Sequence, residues 1–81
     1  MKTQQAVCQR IRELMKEQKM SINKLAERAG VHHSTLGDIL ADDSPIRNTG
    51  VTTIKKVCQG LGIEFEEFWN SELFHNLDYE E

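Results

Sequence analysis

The stretch Ile22–Leu40, INKLAERAGVHHSTLGDIL, constrains this chain more than any other part of it. Apolar residues fall at Leu25, Ala29, Val31, Leu36 and Ile39, with Gly30 between them. Two helices joined by a three- or four-residue turn need a glycine, because one turn residue takes φ > 0. Leu25 and Ala29, then Leu36 and Ile39, stand four and three apart, the spacing that puts side chains on one helix face. Ala26 is methyl-sized where two helices would cross closely, and a larger side chain would push the second helix away. Ser21 stands just before the set as a candidate N-cap. Together these residues predict a helix-turn-helix. The alternative is an αα-hairpin that serves only as scaffold.

The rest of the chain reads as more helix. Thr3 is a candidate cap for a first helix over about Thr3–Gln18, with Val7, Ile11, Leu14 and Met15 on its apolar face. Arg10, Arg12, Glu13, Lys16 and Glu17 lie on its other side. Lys19-Met20 is a connector. The second helix covers about Ile22–Ala29 and the third about His33–Leu40, with Gly30-Val31 as the turn. Ala41–Gly50, ADDSPIRNTG, is a loop because of Pro45, Asn48 and Gly50. Val51, Ile54, Val57, Cys58 and Leu61 predict a fourth helix, ended by Gly60 and Gly62. Phe65, Phe68, Trp69 and Leu73 predict a fifth, about Glu64–Ser71. Phe74, Leu77 and Tyr79 follow in an acidic tail over 72–81. The expected architecture is all-α, five short helices without a strand.

A chain of 81 residues supports one domain, 1–81, with a small core and modest stability. No apolar run is long enough for a membrane and no signal-peptide pattern opens the chain, so a cytoplasmic location is expected. Cys8 and Cys58 belong to no CxxC or Cys/His cluster and read as small core residues. The net charge of −3 argues against nucleic-acid binding only if taken globally. Residues 1–35 carry seven Lys/Arg against three Asp/Glu, whereas residues 51–81 carry two against seven. The N-terminal half can therefore present a basic face.

The order of helices, with the motif in the second and third, resembles the Cro/cI phage-repressor family of DNA-binding domains, also called XRE-type. The match covers about residues 7–71. RIRELMKEQKMSINKLAERAGVHHSTL is similar to the family's first three helices, and VTTIKKVCQGLGIEFEEF to its fourth and the start of its fifth. The resemblance implies a five-helix lambda-repressor-like fold. It also implies a sequence-specific transcriptional regulator of phage or mobile-element type that binds palindromic operators as a dimer. Four departures from the family pattern involve five residues. Ile22 replaces the usual phosphate-touching glutamine. Met15 and Leu40 replace an arginine and a glutamate that commonly pair. Replacing both members of an ion pair by apolar groups is often neutral or stabilising, whereas losing one strands a charge. Gly37 lies inside the third helix, and Asp38 on its DNA-facing side.

Carried over by position, the base-contacting set is His32, His33, Ser34 and Asp38, because such a helix reads base edges from its N-terminal turns. Solvent exposure without function is the plainer reading of the two histidines, and Ser34 and Thr35 are also candidate caps. Gly37 either lets the helix approach the groove closely or is a tolerated surface glycine. Phosphate contacts are expected from Ser21, Asn23, Arg47 and Asn48. Asp42 and Asp43 should point away. The stripe of Phe65, Phe68, Trp69, Leu73 and Phe74 serves the core alone or also a dimer surface, with Phe68, Trp69, Leu73 and Phe74 as the dimer candidates.

No metal-ligand spacing, P-loop or nucleophile elbow is present, so neither a cofactor nor an enzymatic activity is expected. Two functions remain. One is a regulator that binds double-stranded DNA, a homodimer at least when bound. The other is a protein-interaction module on the same fold, such as an antitoxin or adaptor; Ile22, Asp38 and the net acidity favour it.

Overall fold

The computed structural model describes residues 2–41 and 49–77. Five α-helices follow in order: α1 (Thr3–Gln18), α2 (Ile22–Ala29), α3 (His33–Leu40), α4 (Val51–Leu61) and α5 (Phe65–Phe68). A single 3₁₀ turn, Glu72–Phe74, comes after them, and there is no strand among the described residues. The architecture is the all-α one that the periodicity predicts, and the first three helices keep their expected bounds.

Each helix end has a local cause. Ser21 caps α2, its hydroxyl accepting from Lys24 N–H at 3.1 Å. Gly30 and Gly62 close α2 and α4 in the left-handed conformation, both at φ 71°. Lys19 closes α1 in the same conformation, at φ 53°, where an L side chain is disfavoured. Thr3 is not the cap of α1. That position is Lys2, whose N–H donates to Gln5 Oε1 at 3.1 Å. Gly60 does not end α4 but lies inside it, buried. The fifth helix is shorter than its aromatic spacing predicts. It ends at Phe68, with Trp69 as C-cap; Ser71 is extended, at φ −151° and ψ 146°, and its hydroxyl caps the 3₁₀ turn by accepting from Leu73 N–H at 3.2 Å.

One core joins all five helices. Val7, Ile11 and Leu14 from α1 meet Leu25 from α2, Leu36 and Ile39 from α3, Ile54 and Val57 from α4, and Phe68 from α5. Phe68, Ile11, Leu25, Leu36, Val57 and Cys58 are its largest enclosed side chains. Met15 and Leu40 are both buried in this cluster. The closest helix contact is that of α2 with α4. A Cβ placed on Gly60 would come 2.9 Å from Ala29 N. Ala26 is buried as expected.

Polar side chains of α1 bind the carbonyls where three other helices end. Cys8 Sγ–H donates to Ile39 O at 2.8 Å. Arg10 donates from Nε to Phe68 O at 2.8 Å and from Nη2 to Glu67 O at 2.9 Å. Gln18 Nε2 donates to Leu61 O at 2.7 Å. The last carbonyls of a helix have no partner within it, so at Ile39, Leu61 and Phe68 α1 satisfies groups that would otherwise need water. Arg10 is thus not a solvated surface residue. It is half-buried and also pairs with Glu13 at 3.6 Å. No helix among the described residues is long and apolar enough to cross a membrane.

Candidate nucleic-acid interface

The tight turn at Gly30 sets the start of α3 beside α2. Gly30 lets the chain reverse, and Val31 N–H donates to Ala26 O at 3.1 Å. Leu36 and Ile39 are drawn into the core, which fixes the rotation of α3 about its axis. The other side of α3 therefore faces solvent, and His32, His33, Ser34 and Asp38 are all exposed on it or at its start. All four sequence-expected base-contacting residues are therefore accessible to solvent.

His32 is the N-cap of α3, a role the sequence reading left to Ser34 or Thr35. Ser34 N–H donates to His32 Nδ1 at 3.3 Å, and Ser34 Oγ lies 2.7 Å from the same nitrogen. A backbone N–H can only donate, so Nδ1 is the acceptor. A neutral ring then carries its hydrogen on Nε2. That leaves an outward donor of the kind that guanine N7 or O6 accepts in a major groove. The rings of His32 and His33 stack at 4.9 Å with 24° between planes, so the two imidazoles form one exposed surface. Among the described residues no group of three or more His, Cys, Asp or Glu side chains could hold a metal ion.

Asp38 lies more than one turn beyond His33, and no ion pair engages it among the described residues. Gly37 precedes it, and a Cβ there would meet nothing within 4 Å. At the start of α2, Ser21 and Asn23 are exposed, and the first turn holds no acidic residue. Such a helix start favours anions through its unpaired N–H groups and dipole. Ile22, between them, is 39% exposed and offers no side-chain donor. Arg47 and Asn48, the other two expected phosphate contacts, lie outside the described residues, as do Asp42 and Asp43.

An open groove runs between α1, α3 and the first residue of α2. Arg12, Met15, Ile22, Gly37, Leu40 and Ala41 line it. Helical spacing alone places Arg12 on a polar face of α1. Its nearness to the motif depends on how α1 crosses α3, which no local pattern gives.

The proposed dimer residues divide. Phe68 is fully buried in the core and has no surface to give a partner, so it is withdrawn from that set. Trp69, Leu73 and Phe74 are half-buried. Trp69 stacks edge-on against Phe68 at 5.0 Å and lies 4.9 Å from Phe74, while Phe65 reaches Trp69 at 5.9 Å. The aromatic residues form one cluster whose inner member seals the core and whose outer members reach the surface.

The two thiols are unpaired. Burial pushes both Cys8 and Cys58 above the ordinary thiol value; beside Cys8, the Gln4 side chain and then Arg12 oppose the rise. Both are thus kept as neutral thiols, and Cys8 acts as a hydrogen-bond donor rather than a nucleophile.

Comparison with known proteins agrees with this geometry. A family model described as helix-turn-helix matches residues 11–68. The crystal structure of the prophage Lp1 protein 11 is similar, with a TM-score of 0.78 and 31% identity, covering 95% of this chain and 100% of that one. No curated protein matches the sequence. With the motif in α2 and α3 and the match running from α1 to α5, the chain belongs to the XRE-type helix-turn-helix family of DNA-binding regulators.

Proposed function

We propose that this protein is a sequence-specific DNA-binding transcriptional regulator that lays the N-terminal turns of α3 in the major groove. The observation that carries this reading is that His32, His33, Ser34 and Asp38 are all exposed at or along α3, in a helix-turn-helix whose α2 is capped by Ser21. In the proposed complex those four residues meet base edges, and Ser21, Asn23, Arg47 and Asn48 meet phosphates. The protein binds as a homodimer to a palindromic operator, with Trp69, Leu73 and Phe74 at the dimer contact. The half-sites then lie about 34–36 Å apart, one turn of duplex.

The test is selection of bound sites from a random duplex pool, followed by titration at several salt concentrations. A palindromic consensus and an affinity that falls steeply with salt are expected. Sedimentation showing one protein per operator at saturation would remove the dimer.

A protein-interaction module is the second reading, favoured by the exposure of Ile22 at 39% and of Val51 at 67%. Salt-independent or undetectable binding to mixed duplex DNA selects it over the first.

A further inference from the structure

We infer that Thr49, Gln4 and Cys8 form a one-way hydrogen-bond relay that positions α3 for base reading, tying its last turn through one face of α1 to the start of α4. The inference rests on the DNA-binding reading above and deepens it by naming residues that act through α3.

Gln4 and Cys8 stand four apart on α1 and so share a face. Thr49 Oγ1–H donates to Gln4 Oε1 at 3.0 Å, Gln4 Nε2 donates to Cys8 Sγ at 3.5 Å, and Cys8 Sγ–H donates to Ile39 O at 2.8 Å. The Ile39 end fixes the rest. A carbonyl can only accept, so the thiol hydrogen goes to Ile39. The sulfur is left to accept, which turns the Gln4 N–H toward it and the Gln4 oxygen toward Thr49. Every donor therefore points the same way along the series, the arrangement in which neighbouring bonds polarise and strengthen one another. All three side chains are half-buried, where water competes less for them.

The two ends of the relay give it a role. Ile39 lies in the last turn of α3, the helix that exposes His33, Ser34 and Asp38. Thr49 precedes Gly50, the N-cap of α4, and α1 packs on both α3 and α4. Apolar burial of Leu36 and Ile39 holds α3 on the core, but the hydrophobic effect is non-directional. A hydrogen bond to the Ile39 carbonyl has a direction, so the relay sets how the end of α3 lies relative to the start of α4.

The experiment is a double-mutant cycle between Thr49→Val and Cys8→Ala, run once with Gln4 in place and once with Gln4→Leu. Binding is measured to a duplex carrying the selected operator and to an unrelated duplex of equal length, with circular dichroism as the check on folding. Each single substitution should weaken operator binding by about three- to tenfold, the scale of one hydrogen bond, and weaken unrelated binding less. With Gln4 in place the double variant should lose less than the product of the two singles, although Thr49 bonds to Gln4 and not to Cys8. With Gln4→Leu the two losses should multiply. Thr49→Ser and Cys8→Ser, which keep their donors, should bind as wild type does. If the losses multiply with Gln4 in place, each side chain acts alone and the relay is refuted. If operator and unrelated duplex lose equally, the relay serves only the fold and does not position α3. Both of those results leave the DNA-binding reading standing. If wild type itself shows no salt-dependent binding to either duplex, that reading fails and this inference falls with it.

Discussion

The Cys8 thiol donates to the Ile39 carbonyl at 2.8 Å, which ties α1 to the last turn of α3. Ile39 is the last inward-facing residue but one of that helix, so the bond fixes how α3 leaves the core. Removing the donor leaves a helix-end carbonyl without its partner, at a cost of about 1 kcal/mol. Cys8→Ala should lose that much in chemical denaturation, and Cys8→Ser should keep most of it because a hydroxyl also donates.

The same bond gives a pH dependence. Burial raises the Cys8 pKa above its ordinary 9.0, so the fold favours the neutral thiol. A group raised in the folded state contributes stability that is fully present below its unfolded value. That contribution is lost as pH rises through the folded one. The stability difference between wild type and Cys8→Ser should therefore be flat below the ordinary thiol value of 9.0 and shift against wild type above it. A difference that stays constant to high pH would show that the thiolate is tolerated in place.

Gly37 and Gly60 are both helical, and the structure assigns them opposite responses to alanine. At Gly60 a Cβ would meet Ala29 N at 2.9 Å and Ala29 Cβ at 3.0 Å, so α2 and α4 would have to part. Overpacking of that kind costs about 1–3 kcal/mol and outweighs the roughly 1 kcal/mol by which alanine is the better helix former. At Gly37 nothing lies within 4 Å, so only the propensity gain remains. Gly60→Ala should lower the denaturation midpoint, and Gly37→Ala should raise stability by about 1 kcal/mol. If Gly37→Ala also binds duplex DNA as tightly as wild type, close approach at position 37 plays no part in recognition.

What could be read in the sequence was local. Leu25, Ala29, Leu36 and Ile39 show their helices by period, and Ser21, Gly30 and Gly62 show the ends, because each acts on neighbours a few residues away. What could not be read depends on partners far along the chain. Gly60 looks like a stop signal until Ala29 is seen against it. Arg10 looks solvated until Phe68 O, 58 residues on, is found 2.8 Å from its Nε. The αL residue that ends α1 is a lysine, so no glycine announces it. The exposure of the four base-edge candidates was legible because burial of Leu36 and Ile39 fixes the opposite face. Their chemistry was less so: His32 proved to be the cap, which sets its outward nitrogen as a donor. The groove that Arg12 lines was not legible, because it is made by a tertiary crossing.

Arg10 should matter to the C-terminal helix more than to the motif. It makes two charge-assisted bonds to the end of α5, next to Trp69. Bonds to charged groups are worth about 1.5–3 kcal/mol each, less where solvent reaches them. Arg10→Met should destabilise the protein and loosen the Phe68–Trp69–Phe74 cluster. Trp69 is the chain's single tryptophan, so its emission reports the change directly. A red-shifted emission in the folded state is expected. An unchanged spectrum would show that packing of Phe68 holds α5 without Arg10.

Asp38 is the residue least suited to a DNA-facing helix. It is exposed, one turn on from Ser34, and no ion pair among the described residues occupies it. A structural salt bridge therefore does not account for it there. Two readings concern its role on DNA. A carboxylate can accept from the amino group of cytosine in the major groove and is repelled by bases that offer only acceptors. Alternatively it stands at the groove edge and touches nothing. The first exchanges overall affinity for discrimination at one base pair; the second only weakens binding. The helix geometry favours the first, because Asp38 follows the His33–Ser34 end by roughly one turn on an exposed face. Asp38→Ala should bind non-specific duplex more tightly than wild type, since a repulsive charge is gone. It should also lose about 1–3 kcal/mol of preference at one symmetry-related pair of operator positions. The measurement is binding of both proteins to an operator and to each of its single-base variants at fixed salt. If Asp38→Ala gains affinity equally for every variant, the carboxylate reads no base and acts only by repulsion.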